Sequence, residues 1–409
     1  MCTTLNAVNP LDSCRVMFVL GAGASVPLGM PTTKSLLSTL ENKTRLGRLA
    51  AEIHKSAAYR FRIPADAINI EDFFEHLYEL QLLLWFARRS ELPTLLPGFT
   101  TARAPVTESA NKALADVQLQ AYRLLHRTCG DCRGAKVDAL WRPILEFVSG
   151  QQPVVPIFTL NYDWTFEKLA IENAQRYQLT DGFERLGGTW KAERFAKLRP
   201  SSHKINLALF KLHGSTCWVG GMKSMGRFEP RTEDEGGGDG YPPHQFDMVY
   251  PGHAHEMSFG KEYWDRASDP HGMQWPWLEQ DPYKTLYAQF HQAARRAKVI
   301  VVVGYAFHDK LVNQEITKAS PHAKIVVVDP GIERYDKATD SAHTDPPFEW
   351  LKCGDRDTRW SRFYFLDEKF GPPDTTQMLL DGMKGLLQQR SSPRRKVGAP
   401  RSTLFSKKK

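Results

Sequence analysis

Five apolar runs in this chain end in residues that can do chemistry. VMFVL (16–20) is followed by Gly21, Ala22, Gly23 and Ser25, and PIFTL (156–160) by Asn161 and Asp163. LFKL (209–212) is followed by His213, Gly214 and Ser215. VIVVV (299–303) leads into Gly304, Tyr305, His308 and Asp309, and KIVVV (324–328) into Asp329. Glycines after a strand let a backbone approach an anionic group closely. Asn, Ser and Asp orient hydroxyls or a water, and a histidine can exchange a proton near neutral pH.

Each residue also has a plainer reading. GAGAS lacks the third glycine of G-x-G-x-x-G, because position 26 is Val, and it lacks the Gly-Lys-Ser/Thr of a P-loop. It can be a tight strand-to-helix turn as well as a phosphate cradle. Asp163 stands where a helix N-cap would stand before WTFEKL, and Asn161 can close a turn. His213 alone can be a hydrogen-bonded structural residue. His253, His255 and Glu256 in GHAHE have no third metal ligand nearby. Cys129 and Cys132 form the one C-x-x-C among six cysteines, so a paired zinc site is not expected. The scattered thiols point to a reducing, cytoplasmic setting.

The elements that must position these residues follow from periodicity. The five runs are short, apolar and closed by small or polar residues, as buried parallel strands are. Helical patterns separate them: PTTKSLLSTLENK (31–43), with Pro31 near its first turn, after the first run, 164–174 after the second, and YKTLYAQFHQAARRAK and HDKLVNQEITKA around the fourth. The expected fold class is α/β, a Rossmann-like parallel sheet with helices on both faces. Residues 66–150 have only helical spacing and read as an inserted module. In an open α/β sheet, ligands bind beyond the carboxyl ends of the strands. All five clusters belong to that one edge.

Charge is unevenly placed. The formal net charge of +8 over 409 residues lies in positions 390–409, which hold eight Lys or Arg and no acid. The body, 1–389, is formally neutral and reads as one catalytic domain. The tail reads as a solvated terminus, with contact to nucleic acid or an acidic partner as the sharper alternative. No apolar run is long enough for a membrane helix, and the first residues do not read as a secretory leader.

GAGAS with GMP, TLNYD, KLHGS, and VVVGYAF followed by VVVDP resemble, in that order and over residues 16–330, the sirtuin family. The set is most similar to divergent, mainly prokaryotic sirtuin-like domains that lack zinc. That resemblance implies NAD as the ligand and substrate, with no metal. Gly21, Ala22, Gly23 and Ser25 would surround its phosphates and ribose. Asn161 and Asp163 would lie beside the nicotinamide and its ribose, with His213, the family's catalytic histidine, at the nicotinamide ribose hydroxyls. Gly304 and Tyr305 would lie near the adenosine half, and Asp329 is placed at the adenosine ribose by dinucleotide-fold logic. The four-cysteine module of the protein deacylases is missing, since only Cys217 lies in that interval. The implied activity is therefore NAD hydrolysis in antiphage defence, by a homo-oligomer or with a partner such as a HerA-type ATPase. An NAD or ADP-ribose sensing subunit and a nuclease component are the alternatives.

Overall fold

The computed structural model describes residues 10–43, 46–62, 64–88, 104–130, 132–183, 189–219, 226–227, 246–248, 281–307, 309–319, 323–330, 362–366 and 368–388. Four strands come first: β1 (Val16–Leu20), β2 (Val155–Thr159), β3 (Tyr177–Thr180) and β4 (Ile205–Lys211). A small antiparallel sheet follows, in which β5 (Gly214–Val219) pairs with β6 (Gly226–Arg227) and β7 (Phe246–Met248). Last come β8 (Val299–Val303), β9 (Lys324–Val328) and β10 (Phe363–Leu366). The main sheet has seven strands in the order β10-β9-β8-β1-β2-β4-β3. All its pairings are parallel. The expected α/β class is what forms.

The strand sequences explain the layers. VMFVL, VIVVV and VPIFT are buried at every residue, so both faces of the sheet must be covered. Met17 and Val19 face one core, with Leu286 and Phe290 of α7 (Tyr283–Arg296) and Val312 and Ile316 of α8 (Lys310–Lys318). Val16, Phe18 and Leu20 face the other. There they meet Trp141 of α5 (Gly134–Ser149), Phe166 of α6 (Thr165–Glu172) and Met383 of α9 (Pro373–Gln388). The alternation is the period of two that a strand imposes.

A third core is built mainly by helices. It joins α1 (Thr33–Lys43), α2 (Gly47–Phe61), α3 (Ile70–Arg88) and α4 (Ala104–Gly130) through Leu36, Ile53, Phe73, Leu77, Val117 and Leu125. This grouping differs from the 66–150 block. It begins with α1, and α5 leaves it to cover the sheet. Tyr162, from the loop after β2, is buried in this same core and ties the helical layer to the strand ends. The N-terminus of α3 is set by a reciprocal cap. Asn69 Oδ1 accepts from the N–H groups of Glu71 (2.7 Å) and Asp72 (3.1 Å), and Asp72 Oδ2 accepts from Asn69 N–H (3.0 Å).

Two expectations change. The chain leaves β1 through two short 3-10 turns, Ala22–Ala24 and Val26–Leu28, and α1 begins only at Thr33. Pro27 and Pro31 lack the N–H that a continuous helix needs, and Gly29 adopts φ 94°. No helix dipole therefore stands directly behind GAGAS. The edge strands β3 and β10 were also not expected. Each is four residues with two of them half-buried, too short for a periodic signal. The basic tail, GHAHE and His308 lie outside the described residues.

Candidate functional site

From β1 the chain moves through β2, β3 and β4 to one side, then returns to β8, β9 and β10 on the other. The switch point thus lies between β1 and β8, where such sheets bind ligands. Here the two glycine turns interlock. Gly21 N–H donates to Val303 O (3.0 Å) and Gly23 N–H to Gly304 O (2.9 Å). A Cβ on Gly21 would lie 2.5 Å from Gly304 O, and one on Gly304 would lie 2.3 Å from Ala24 N. Gly304 also has φ +59°. The glycines are needed because two backbones touch. Ala22, Gly23 and Gly304 are half-buried, and Ala306 is exposed, so small residues face solvent along this edge.

Beside that lock, the end of β2 forms a polar cluster. Asn161 Nδ2 donates to Gly21 O (2.9 Å) and to Ser25 Oγ (3.0 Å). Ser25 Oγ donates to Asp163 Oδ2 (2.6 Å), and Asp163 Oδ1 accepts from Thr165 N–H at the start of α6 (3.0 Å). The N-cap position of α6 is Trp164 and not Asp163 as the sequence suggested, because the Trp164 carbonyl accepts the first helical bond, from Lys168 N–H (2.8 Å). Asp163, one residue earlier, holds the turn into the helix and anchors Ser25 at once. Below it, buried Lys211 donates to the Asp163 carbonyl and pairs with Glu167 Oε1 at 3.3 Å. A cavity of about 10 Å³ is lined by Ser25, Thr159, Asn161, Asp163, Glu167 and Lys211. That is room for about one water.

His213, at the end of β4, is the centre of a second cluster. Its side chain is 3% exposed. Nε2 lies 2.7 Å from Asp309 Oδ2, and Nδ1 lies 4.0 Å from Glu71 Oε1. Asp309 is also the N-cap of α8, accepting from Leu311 N–H (2.8 Å) and Val312 N–H (3.0 Å). Burial opposes ionisation of Asp309. The His213 contact and these two N–H groups outweigh it and hold the carboxyl below its usual range. Glu71 goes the other way. Burial pushes its carboxyl up to about 7, against the opposing effects of His213 and of the Tyr162 hydroxyl, which donates to Oε1 at 2.9 Å. Tyr162 O accepts from Thr216 N–H (3.2 Å), and the Tyr162 and His213 rings are 6.4 Å apart. The two clusters are thus one continuous site.

Most residues expected from sequence meet here: Gly21, Ala22, Gly23, Ser25, Asn161, Asp163, His213 and Gly304. Tyr305 is different in kind. Its side chain is buried, and its hydroxyl bonds Asn313 Oδ1 (2.9 Å) and the backbone of Asp309 (3.0 and 3.1 Å), so it braces the residue that holds His213. Asp329 ends β9, two strands from β1, with its N–H on Leu366 O (3.2 Å). Sequence reading noted Asp309 at a strand end without a role, and it missed Glu71. The only signal at Glu71 is the NIED cap, which fixes a helix start and says nothing of what lies opposite. Cys129 and Cys132 are buried. Burial pushes Cys132 to about 12 and Cys129 higher, with the Asp163 charge adding to both. Among the described residues, no group of three or more His, Cys, Asp or Glu could hold a metal ion, and no helix is long and apolar enough to cross a membrane.

No protein family and no curated protein matches this chain in sequence. Among solved structures, one that matches is a Sir2 homologue mutant in complex with ADP-ribose. It shares 14% identity at a TM-score of 0.34, over 95% of this chain and all of that one. At that distance, function has to be argued from the residues of the site.

Proposed function

We propose that this chain binds NAD at the β1/β8 switch point and hydrolyses its nicotinamide–ribose bond. The observation that carries the reading is the meeting of the hydrogen-bonded Ser25, Asn161 and Asp163 with His213 at one edge of the sheet, next to each other across Tyr162. These residues lie up to 188 positions apart in sequence and all follow the carboxyl ends of β1, β2 and β4. The ordered motif resemblance supports it independently.

The chemistry suits these groups. Nicotinamide is a cationic leaving group in NAD, so it departs neutral once the glycosidic bond breaks, and the ribose becomes cation-like. Water then attacks the anomeric carbon. Both hydrogen bonds from Asn161 Nδ2 are directed within the protein, which leaves Oδ1 to accept from a water or a ribose hydroxyl. Asp163 acts by holding Ser25 and by placing negative charge near the developing cation. His213 meets the ribose hydroxyls or the water. The half-buried glycine backbone of Gly23 and Gly304 admits the pyrophosphate. Asp329 is the adenosine-side contact of this reading.

The test is NAD consumption by purified full-length protein, compared with Asn161→Ala and His213→Ala. Wild-type turnover with a loss on the order of 100-fold or more in each variant is the expected result. Variants that consume NAD as wild type does would refute the site. An enzyme that destroys NAD must be kept silent, so we read its activity as gated by self-assembly or by a partner, in keeping with a defence role.

A further inference from the structure

The groups around the His213 imidazole say more about how a proton is handled there. Asp309 is ionised and 2.7 Å from Nε2, so Nε2 carries a hydrogen and donates it. In the neutral ring the lone pair is then on Nδ1. Nδ1 is buried and makes no hydrogen bond within the protein. It faces Glu71, whose Oε1 is 4.0 Å away. That gap is too long for a direct hydrogen bond, yet one oxygen can sit about 2.8 Å from both atoms. Asp309 also fixes the ring from the side opposite Glu71, so the two carboxyls bracket the imidazole.

We propose that His213 Nδ1 and the Glu71 carboxyl jointly hold the attacking water, and that Glu71 takes the proton this water gives up. The proposal rests on the NAD-cleaving reading and deepens it. The balance is simple. The glycosidic C–N bond breaks and its electron pair leaves on nicotinamide. The water oxygen bonds to the anomeric carbon. One proton leaves that oxygen, directly or through Nδ1, for Glu71, which releases it to solvent as product departs.

The surroundings of Glu71 fit this task. Tyr162, from the loop after β2, donates to Oε1 at 2.9 Å and fixes the carboxyl's orientation. His213 faces it from the end of β4, and the charges of Asp72 on its own helix and of Asp309, beyond the imidazole at the start of α8, raise its proton affinity further. Burial gives it a proton affinity near neutrality, where a carboxyl can both accept and release a proton. The helical layer thereby contributes a reacting group to a site otherwise built by strand ends. Its docking is held at this point, with Tyr162 buried in the helical core and Trp164 N–H on Cys129 O at 3.3 Å.

The experiment compares wild type, Glu71→Gln and Glu71→Asp as full-length protein. It reads NAD turnover from pH 5 to 9 and ADP-ribose binding by calorimetry in two buffers of different ionisation enthalpy. We expect Glu71→Gln to lose kcat on the order of 100-fold, with KM within about threefold, and to lose the acid limb of the wild-type profile. Glu71→Asp should restore part of kcat and the limb. Protons exchanged on ADP-ribose binding should disappear in Glu71→Gln and persist in Glu71→Asp. A Glu71→Gln protein that keeps both the wild-type profile and the proton exchange overturns the proposal while leaving NAD cleavage intact. Wild type that neither consumes NAD nor binds ADP-ribose overturns the functional reading, and this proposal with it. Circular dichroism identifies a misfolded Gln variant, and a folded Asp variant with Gln-like loss of both signals then counts against Glu71.

Discussion

Replacing Gly304 with alanine tests the interlocked turns without any assumption about function. Three costs can be read from the structure. Alanine at φ +59° costs about 1 kcal/mol in backbone strain. Its Cβ would lie 2.3 to 2.4 Å from backbone atoms of Gly23 and Ala24, which cannot swing aside as a side chain can. Relieving such an overlap costs about 1–3 kcal/mol. The movement also breaks the 2.9 Å bond from Gly23 N–H to Gly304 O, worth about 1 kcal/mol. Together these give roughly 3–5 kcal/mol.

Gly29 is the matched control. It has φ +94°, but nothing lies within 4 Å of a Cβ built on it, so Gly29→Ala should cost only the strain, about 1 kcal/mol. With an unfolding entropy of about 2 cal/mol/K per residue, a chain of 409 residues shifts its Tm by about 1 °C per kcal/mol. Scanning calorimetry should place Gly29→Ala about 1 °C and Gly304→Ala about 3–5 °C below wild type. If the two variants melt together, the close backbone approach is not what selects glycine at position 304, and the argument for a tight β1/β8 switch point fails with it.

Other outcomes follow from single side chains. Gln152 accepts from Arg15 N–H and Val16 N–H and donates to Val16 O and Val154 O, all at 2.8 Å, joining the starts of β1 and β2. Gln152→Ala strands these buried groups and should cost about 3 kcal/mol in urea unfolding, and a loss under about 1 kcal/mol would contradict this role. Asp309→Asn keeps a good N-cap for α8 but presents an N–H or a neutral oxygen to Nε2. A donating amide moves the ring hydrogen to Nδ1, so NAD turnover should fall on the order of 100-fold or more while Tm stays within a few degrees, and unchanged turnover would show that the His213 tautomer does not matter. Glu71 has a folded pKa of about 7 against 4.5 unfolded, so its contribution is present in full below about 4.5 and is lost as pH rises through 7. Glu71→Gln mimics the protonated form, and its stability relative to wild type should therefore rise by about 2–3 kcal/mol between pH 5 and pH 8. A pH-independent difference would mean that Glu71 titrates normally.

The legible and illegible parts of this molecule divide along a physical line. VMFVL, VIVVV and KIVVV could be read because a strand buried on both faces must be apolar at nearly every position, and that constraint is written in consecutive residues. The convergence of Ser25, Asn161, Asp163 and His213 could be read for the same reason. Strands that are parallel put all their carboxyl ends on one edge, so topology alone delivers residues from distant parts of the chain. Glu71 follows no such rule. It enters from a helix whose apolar face specifies its packing on α2 and α4 but not what its first turn meets across the site. Its contact with His213 depends on how the helical layer docks, and that docking is fixed by Tyr162, a residue whose ring reads as ordinary core. The same asymmetry explains Tyr305. A tyrosine after a strand-end glycine suggests a ligand contact, yet its hydroxyl finds Asp309 four residues ahead and turns inward to support it. Motif position locates the edge where chemistry happens. Which group carries a proton there is decided by burial and by the partner opposite, and both are properties of the folded contacts.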